Sequence, residues 1–404
     1  MTTPWPPRSV TLVLTAACNL NCTYCYQTAR RPARMPWRTA NAAVDLLLAS
    51  TAPPRALVLT GGEPLLVYPM VRRIIERVRA AGPAGRGTRI TLLTNGTLLG
   101  AAQMGFLADY RVDVSLSLDG TPAAQQSRGS WTSPRLDRLL DDSRLARRSW
   151  FTRHLRVAVT LTPEHVPHLA DSIEYLLGKG VRSIQVAPAI GGNSPWDVGL
   201  LPVLEAQVAR LCDVSLAMFR TNRKVPLSMF GPRSHASGSQ AMCGVAEGSK
   251  ITVDTDGEVY NCTPAVASLL RHPSPLLAHA VAASHLGRVA DANLPSGVGA
   301  YQKALRATGL FGRRDGLHSW RGACRRCRYV GWCVVCPYTI AHAPGATDPT
   351  RVPDFTCAFN YVVLKYAERF NRRAARAAAT MASTIAIGQH RRRPHVHTRV
   401  RSTP

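Results

Sequence analysis

Three cysteines near the start of the chain carry its most pointed chemistry: Cys18-Asn-Leu-Asn-Cys22-Thr-Tyr-Cys25. Spaced Cys-x3-Cys-x2-Cys, they cannot pair evenly as disulfides, and they offer three thiolates to a centre that prefers four ligands. A structural zinc would want a fourth Cys or His nearby, and none follows within reach. A cubic 4Fe–4S cluster held by three thiolates keeps one iron open for a further ligand. The bland alternative is a zinc knuckle or three incidental thiols. The apolar run Val10-Thr-Leu-Val-Leu14 reads as a first β-strand, so the thiols sit on the loop leaving it.

Polar residues recur where later apolar runs end. After run 56–60 comes Gly61-Gly62-Glu63-Pro64. Two glycines let the backbone approach a ligand closely, and Glu63 can accept from an ammonium; a Gly-rich turn before a helix is the plain alternative. Run 89–94 leads into Asn95-Gly96-Thr97, a polar pair at a strand mouth or an ordinary tight turn. The next run ends in Ser115-Leu-Ser117-Leu-Asp119-Gly120, with Arg128 beyond it. A guanidinium there gives a two-pronged match to a carboxylate, or else a solvated surface charge. Ile184-Gln-Val186-Ala187-Pro188 offers an apolar wall through Val186 or Ala187.

A second cysteine system begins at Cys243. Cys243 and Cys262 flank a hairpin whose turn is Asp256-Gly257, a strong turn signal between two β runs. Farther on stand Cys324, Cys327, Cys333, Cys336 and Cys357. Zinc ribbons are the structural alternative. Cys212, alone on an apolar helical face, reads as a small buried hydrophobe.

These residues need elements to position them. Strands are predicted at 10–15, 56–60, 89–94, 111–117, 155–161 and 182–187, with helices near 37–50, 69–81, 98–108, 134–147 and 165–179. The alternation implies parallel βα units, and in a barrel of such units chemistry sits on the loops at the strands' C-terminal ends. Residues 191–238 read as a connector with a helix around 201–220.

With 404 residues the chain can hold two domains. No apolar run approaches the roughly 18 residues of a membrane span, and the N-terminus has no signal-peptide core, so the cytoplasm is expected. Eleven cysteines there are metal ligands or redox groups rather than a disulfide framework. The net charge of +26 comes almost wholly from arginines spread over many segments, without an aromatic-interleaved motif, so nucleic acid is not the expected partner.

The Cys18/Cys22/Cys25 spacing, with Tyr24 before the last thiol and Gly61-Gly62-Glu63 after the second strand, resembles the signature of the radical SAM superfamily. The resemblance implies an α/β fold, a partial (β/α)6 TIM-like barrel, followed by a small cysteine-rich domain. It implies a cluster whose open iron chelates the amino and carboxylate groups of S-adenosylmethionine, with one-electron cleavage to a 5′-deoxyadenosyl radical. Tyr24, Gly61, Gly62, Glu63, Asn95, Ser117, Arg128 and Val186 would hold that cofactor, Glu63 at its amino group, Ser117 and Arg128 at its carboxylate and Val186 under the adenine. The Asp119-to-Arg128 interval is one residue shorter than the pattern of close relatives.

The later cysteines resemble the SPASM extension with auxiliary 4Fe–4S clusters: Cys324, Cys327, Cys333 and Cys357 for an outer one, Cys243, Cys262 and Cys336 for an inner one. Two residues separate Cys333 from Cys336 where the pattern has three. The inner set lacks a fourth thiolate, which an open iron, a non-Cys ligand or Cys212 would make good. Implied domains are the radical SAM core at 1–190, the connector at 191–238, the SPASM domain at 239–365 and a basic tail at 366–404.

The implied activity is oxidoreduction of a peptide, crosslinking side chains of a ribosomally made precursor. The barrel starts almost at once, so a leader-binding domain is expected as a separate protein, and a flavodoxin or ferredoxin as electron donor. Alternatives are sulfatase maturation or oxidation of a small alcohol within the superfamily, and, in another class, a zinc-ribbon nucleic-acid binder. Thr263 after Cys262 stands where sulfatase-maturing relatives carry an aspartate base, and no catalytic base is named.

Overall fold

The computed structural model describes residues 7–29, 31–50, 54–142, 149–191, 196–231, 245, 248–271, 273–290 and 314–390. Six apolar runs form the strands β1 (Ser9–Val13), β2 (Ala56–Thr60), β3 (Arg89–Thr94), β4 (Asp113–Ser117), β5 (Leu155–Leu161) and β6 (Ile184–Pro188). Each pairs in parallel with the next, so that Val10 faces Leu57 and Leu57 faces Ile90. Val10, Leu12, Leu57, Leu59, Ile90 and Leu92 are fully buried, because crossover helices cover the sheet. The helix Tyr68–Arg79 shows why: Val71, Ile74, Ile75 and Val78 recur on one face and are buried, while Arg72 and Arg73 are exposed. The result is the expected α/β architecture, an open barrel of six parallel units.

Several boundaries shift by a few residues from expectation, two of them for clear local reasons. β4 begins at Asp113 rather than 111 because Arg111 adopts φ 51°, which no strand tolerates. The helix expected from 165 starts at Leu169, after a 3-10 turn, Pro163–His168, that contains Pro167; proline withholds an N–H from an α-helical ladder.

The hairpin forms as β7 (Lys250–Val253) and β8 (Glu258–Tyr260). Its partner is unexpected: β7 lies parallel to β1, with Ser9 facing Lys250 and Leu12 facing Val253. A further strand, β9 (His285–Arg288), pairs antiparallel with β8. Among the described residues one nine-stranded sheet therefore runs β6-β5-β4-β3-β2-β1-β7-β8-β9. The start of the cysteine-rich region is a continuation of the barrel sheet.

The boundary placed at 365 falls inside a helix, Asp354–His390. This is a correction: Ala367, Phe370 and Ala374 are buried, so the tail cannot begin at 366. Phe370 stacks on Phe230 at 5.5 Å and meets Phe219 edge-on at 6.1 Å, the latter on the helix Leu201–Asn222. Cys212 is wholly buried on that same helix, its Sγ 3.7 Å from the Tyr366 carbonyl oxygen. It packs as a core residue. Among the described residues no helix is long and apolar enough to cross a membrane.

Phe370→Ala should cost about 3–5 kcal/mol of stability by leaving a cavity between the two helices, read by denaturant titration. Truncation after residue 365 should be more damaging still.

Candidate functional site

The Cys18–Cys25 loop leaves β1 at the C-terminal end of the parallel strands. Two backbone hydrogen bonds fasten its approach to the loop after β2: Gly62 N–H donates to the Thr15 carbonyl (2.8 Å) and Glu63 N–H to the Ala17 carbonyl (2.9 Å). A Cβ added to Gly61, at φ +149°, would stand 2.3 Å from the Thr15 oxygen, and one on Gly62 would stand 2.3 Å from the Ala17 oxygen. The glycines are thus required by neighbouring backbone. On the side where a side chain would stand, each α-carbon meets the backbone of residues 15–17.

Glu63 is fully buried. Its Oε1 accepts from Leu65 N–H (3.0 Å) and the Thr94 hydroxyl (2.8 Å), its Oε2 from Asn95 N–H (2.8 Å). Burial pushes its pKa up, against the pull of these three donors. Asn95 in turn donates to Asn19 Oδ1 at 2.9 Å, and its Nδ2 lies 4.0 Å from Cys18 Sγ. Leu20 N–H also points at that sulfur, at 3.4 Å. Cys18 Sγ therefore sits beside two N–H donors.

A residue passed over in the sequence organises the other side. Asp119, quoted only as part of a turn, is 3% exposed and accepts four hydrogen bonds: from Tyr24 Oη (2.5 Å), Arg128 Nε (2.8 Å), Arg128 Nη2 (3.0 Å) and Thr160 N–H (3.0 Å). Arg128 is consequently no surface charge: it is 8% exposed, with two arms of its fork committed to Asp119. Its guanidinium stands 5.3 Å from the Tyr24 ring. Burial raises the Cys22 thiol's pKa, and the Arg128 charge opposes that rise. Ser117 is half-buried at the end of β4. Val186 is buried on β6 and shares a 580 Å³ groove with Cys336.

The later thiols fall into two places. Cys324, Cys327, Cys333 and Cys357 all line one cavity of 340 Å³. Burial, with Asn360 opposing and the other thiols adding, pushes Cys333 up to about 12; burial and its neighbours push Cys324 up to about 11. Asn360 Nδ2 donates to Cys333 Sγ at 3.6 Å, and Cys357 Sγ donates to Ser319 Oγ at 3.1 Å. Such thiols ionise only against a bound cation, with release of protons. Among the described residues no three His, Cys, Asp or Glu side chains converge tightly enough for a single metal ion. The four thiols surround one common space.

Cys262 and Cys336 lie elsewhere. Together with Cys25 they are electrostatic neighbours of Tyr26, the residue after the N-terminal triad. Tyr26 meets His342 edge-on at 5.6 Å, and His342 Nε2 lies 2.9 Å from the Pro264 carbonyl oxygen. Cys243 lies outside the described residues. A cleft of 860 Å³ separates the barrel mouth at Tyr24 and Thr162 from the segment Thr339–Thr356, with Trp196 and Phe355 packed at 5.0 Å in its wall.

Asp119→Ala should strand the Arg128 charge without its partner and cost about 3–5 kcal/mol, measured by urea unfolding. Asp119→Asn, which keeps the shape, should cost less.

Residues 12–176 match the family model of the radical SAM superfamily. A probable GTP 3′,8-cyclase of Methanopyrus kandleri is 31% identical over 280 residues, 67% of this chain and 83% of that protein. An uncharacterized protein of Methanocaldococcus jannaschii is 26% identical over 179 residues, 44% of this chain; the match spans 61% of that relative's length. Among solved structures, native anSMEcpe with bound AdoMet and Cp18Cys peptide superposes with a TM-score of 0.67 at 17% identity, covering 92% of this chain and 100% of that one. Streptococcus suis SuiB bound to precursor peptide SuiA gives a TM-score of 0.54 at 14% identity, covering 87% and 76%. The cysteine loop at the mouth of six parallel strands and these matches agree: the chain belongs to the radical SAM superfamily.

Proposed function

We propose that this chain is a radical SAM enzyme that oxidatively modifies a peptide, crosslinking side chains of a ribosomally made precursor. The observation that carries the reading is the placement of Cys18, Cys22 and Cys25 at the strands' C-terminal mouth, beside the Glu63–Asn95 pair, with a second cage of four thiols in the C-terminal region. A 4Fe–4S cluster with S-adenosylmethionine supplies a 5′-deoxyadenosyl radical, and the protein's task is to hold and orient it and to keep water away.

In this reading Cys18, Cys22 and Cys25 hold the cluster while Leu20 N–H and Asn95 steady the Cys18 sulfur. Asp119 holds Arg128 so that its remaining arm can meet the cofactor carboxylate near Ser117. Glu63, together with Tyr24, Gly61, Gly62 and Val186, completes the cofactor pocket. Cys324, Cys327, Cys333 and Cys357 hold an auxiliary SPASM cluster, and Cys243, Cys262 and Cys336 an inner one. The 860 Å³ cleft beside Tyr24 receives the peptide. Two structures of this fold hold peptides, which supports a peptide substrate. A separate leader-binding protein and a flavodoxin or ferredoxin would complete the system.

Anaerobic incubation with S-adenosylmethionine and a reductant should yield 5′-deoxyadenosine from wild type and none when Cys18, Cys22 and Cys25 are all changed to Ala. Anaerobically purified protein should carry roughly eight to twelve irons. Gly62→Ala, by driving a methyl into the Ala17 carbonyl, should lose about four of them. Stoichiometric zinc without sulfide would sink the reading.

A further inference from the structure

A second large cleft lies at the opposite end of the barrel. It measures 920 Å³ and is lined by the N-terminal ends of the strands, at Arg89, Asp113, Leu155 and Ser183. Six arginines reach it (Arg79, Arg86, Arg89, Arg111, Arg153 and Arg156), against two carboxylates, Asp109 and Asp113.

Part of this charge belongs to the fold. Helix C-termini converge at this edge, and cations there offset the helix dipoles. Arg79 does so visibly: Nε donates to the Tyr110 carbonyl at 3.0 Å, Nη1 to those of Gly85 and Thr88 at 2.8 and 2.7 Å. The same reason reaches Arg111, just past the helix Ala101–Asp109, but not Arg89 and Arg156, which open β3 and lie at the start of β5. Asp113 is already engaged, by His154 Nδ1 at 2.6 Å, and stands 3.8 Å from Arg89 Nε. Among the described residues no carboxylate pairs with Arg111 or Arg156. Arg111 is moreover one of two non-glycine residues in the described chain with positive φ, at 51°. That conformation closes the last turn of the helix Ala101–Asp109, where Arg111 N–H donates to the Ala108 carbonyl at 3.1 Å and Val112 N–H to that of Leu107 at 2.8 Å.

We propose that this cleft binds a compact oligophosphate group. Guanidinium forks match phosphate oxygens two at a time, and the volume is that of a small-ligand site. So concentrated an excess of cations favours linked phosphates over an extended acidic peptide, which spreads its charges at about 3.3 Å per residue. The strands set the cleft about 17–20 Å from the cysteine loop, so the phosphate does not take part at the reacting centre. It tethers a ligand or reports on one. The source is a free nucleotide, whose linked phosphates gather several charges on one short group. This inference does not rest on the peptide-modifying reading.

The test is calorimetric titration of the full-length, iron-loaded protein with sodium pyrophosphate. Saturable binding that weakens as salt rises is expected. Arg89→Ala and Arg156→Ala should each weaken it by about tenfold. Arg111→Gly should do the same while relieving the backbone, so its loss of binding cannot be a folding defect; 5′-deoxyadenosine formation should be unchanged in all three. ATP should bind more tightly than an eight-residue oligouridylate, whose single charges are spaced along the strand, and the reverse would overturn the proposal. No saturable heat, equal binding by all three variants, or hexaglutamate binding as tightly as pyrophosphate would each overturn the proposal.

Discussion

Two stretches of backbone, residues 15–17 and Gly61–Glu63, meet with no side chain between them. Everything at the barrel mouth depends on that contact. The two hydrogen bonds across this contact lock the root of the cysteine loop to the loop after β2. Any Cβ at Gly61 or Gly62 would overlap a carbonyl oxygen. Because β1 and β2 are adjacent in the sheet, the contact is local in space although the loops are far apart in sequence.

Two buried carboxylates then distribute that order around the rim. Glu63 gathers β2 and β3 through Thr94 and Asn95, and Asn95 reaches the cysteine loop. Asp119 gathers β4, β5 and Arg128, and takes Tyr24 from the cysteine loop. Each carboxylate is expensive to bury alone and becomes tolerable only with its donors in place. The loop of three thiols is therefore gripped from both sides by polar networks. Such bracing fixes geometry, the condition for holding a reactive centre in one orientation.

The C-terminal region is joined to this rim in two ways. β7 uses the free edge of β1, which removes an exposed strand edge and carries Cys262 toward the N-terminal loop. The helix Asp354–His390 packs by Phe370 against the connector helix, while Cys357 on its first turns faces the four-thiol cavity. Tyr26 and His342 meet between the two thiol groups. Sheet continuity and aromatic packing, rather than a linker, hold the later thiols in register with the first three.

The six βα units were legible in the chain because their periodicity is local: buried strands read as short apolar runs and helices as a 3.6-residue repeat. The hairpin turn was legible for the same reason, as was the superfamily, whose spacing of thiols and glycines is written along a few residues. What occupies the space at a residue is not local. That the glycines face carbonyls, that β7 seeks β1 and that Cys212 lies against Tyr366 depend on contacts between segments tens to hundreds of residues apart, and that Arg128 folds back nine residues onto Asp119 depends on the burial of both. An Asp before a Gly looks the same in sequence whether it caps a turn or anchors a buried arginine. Only the packed fold, where desolvation makes each buried charge find its donors, decides between them.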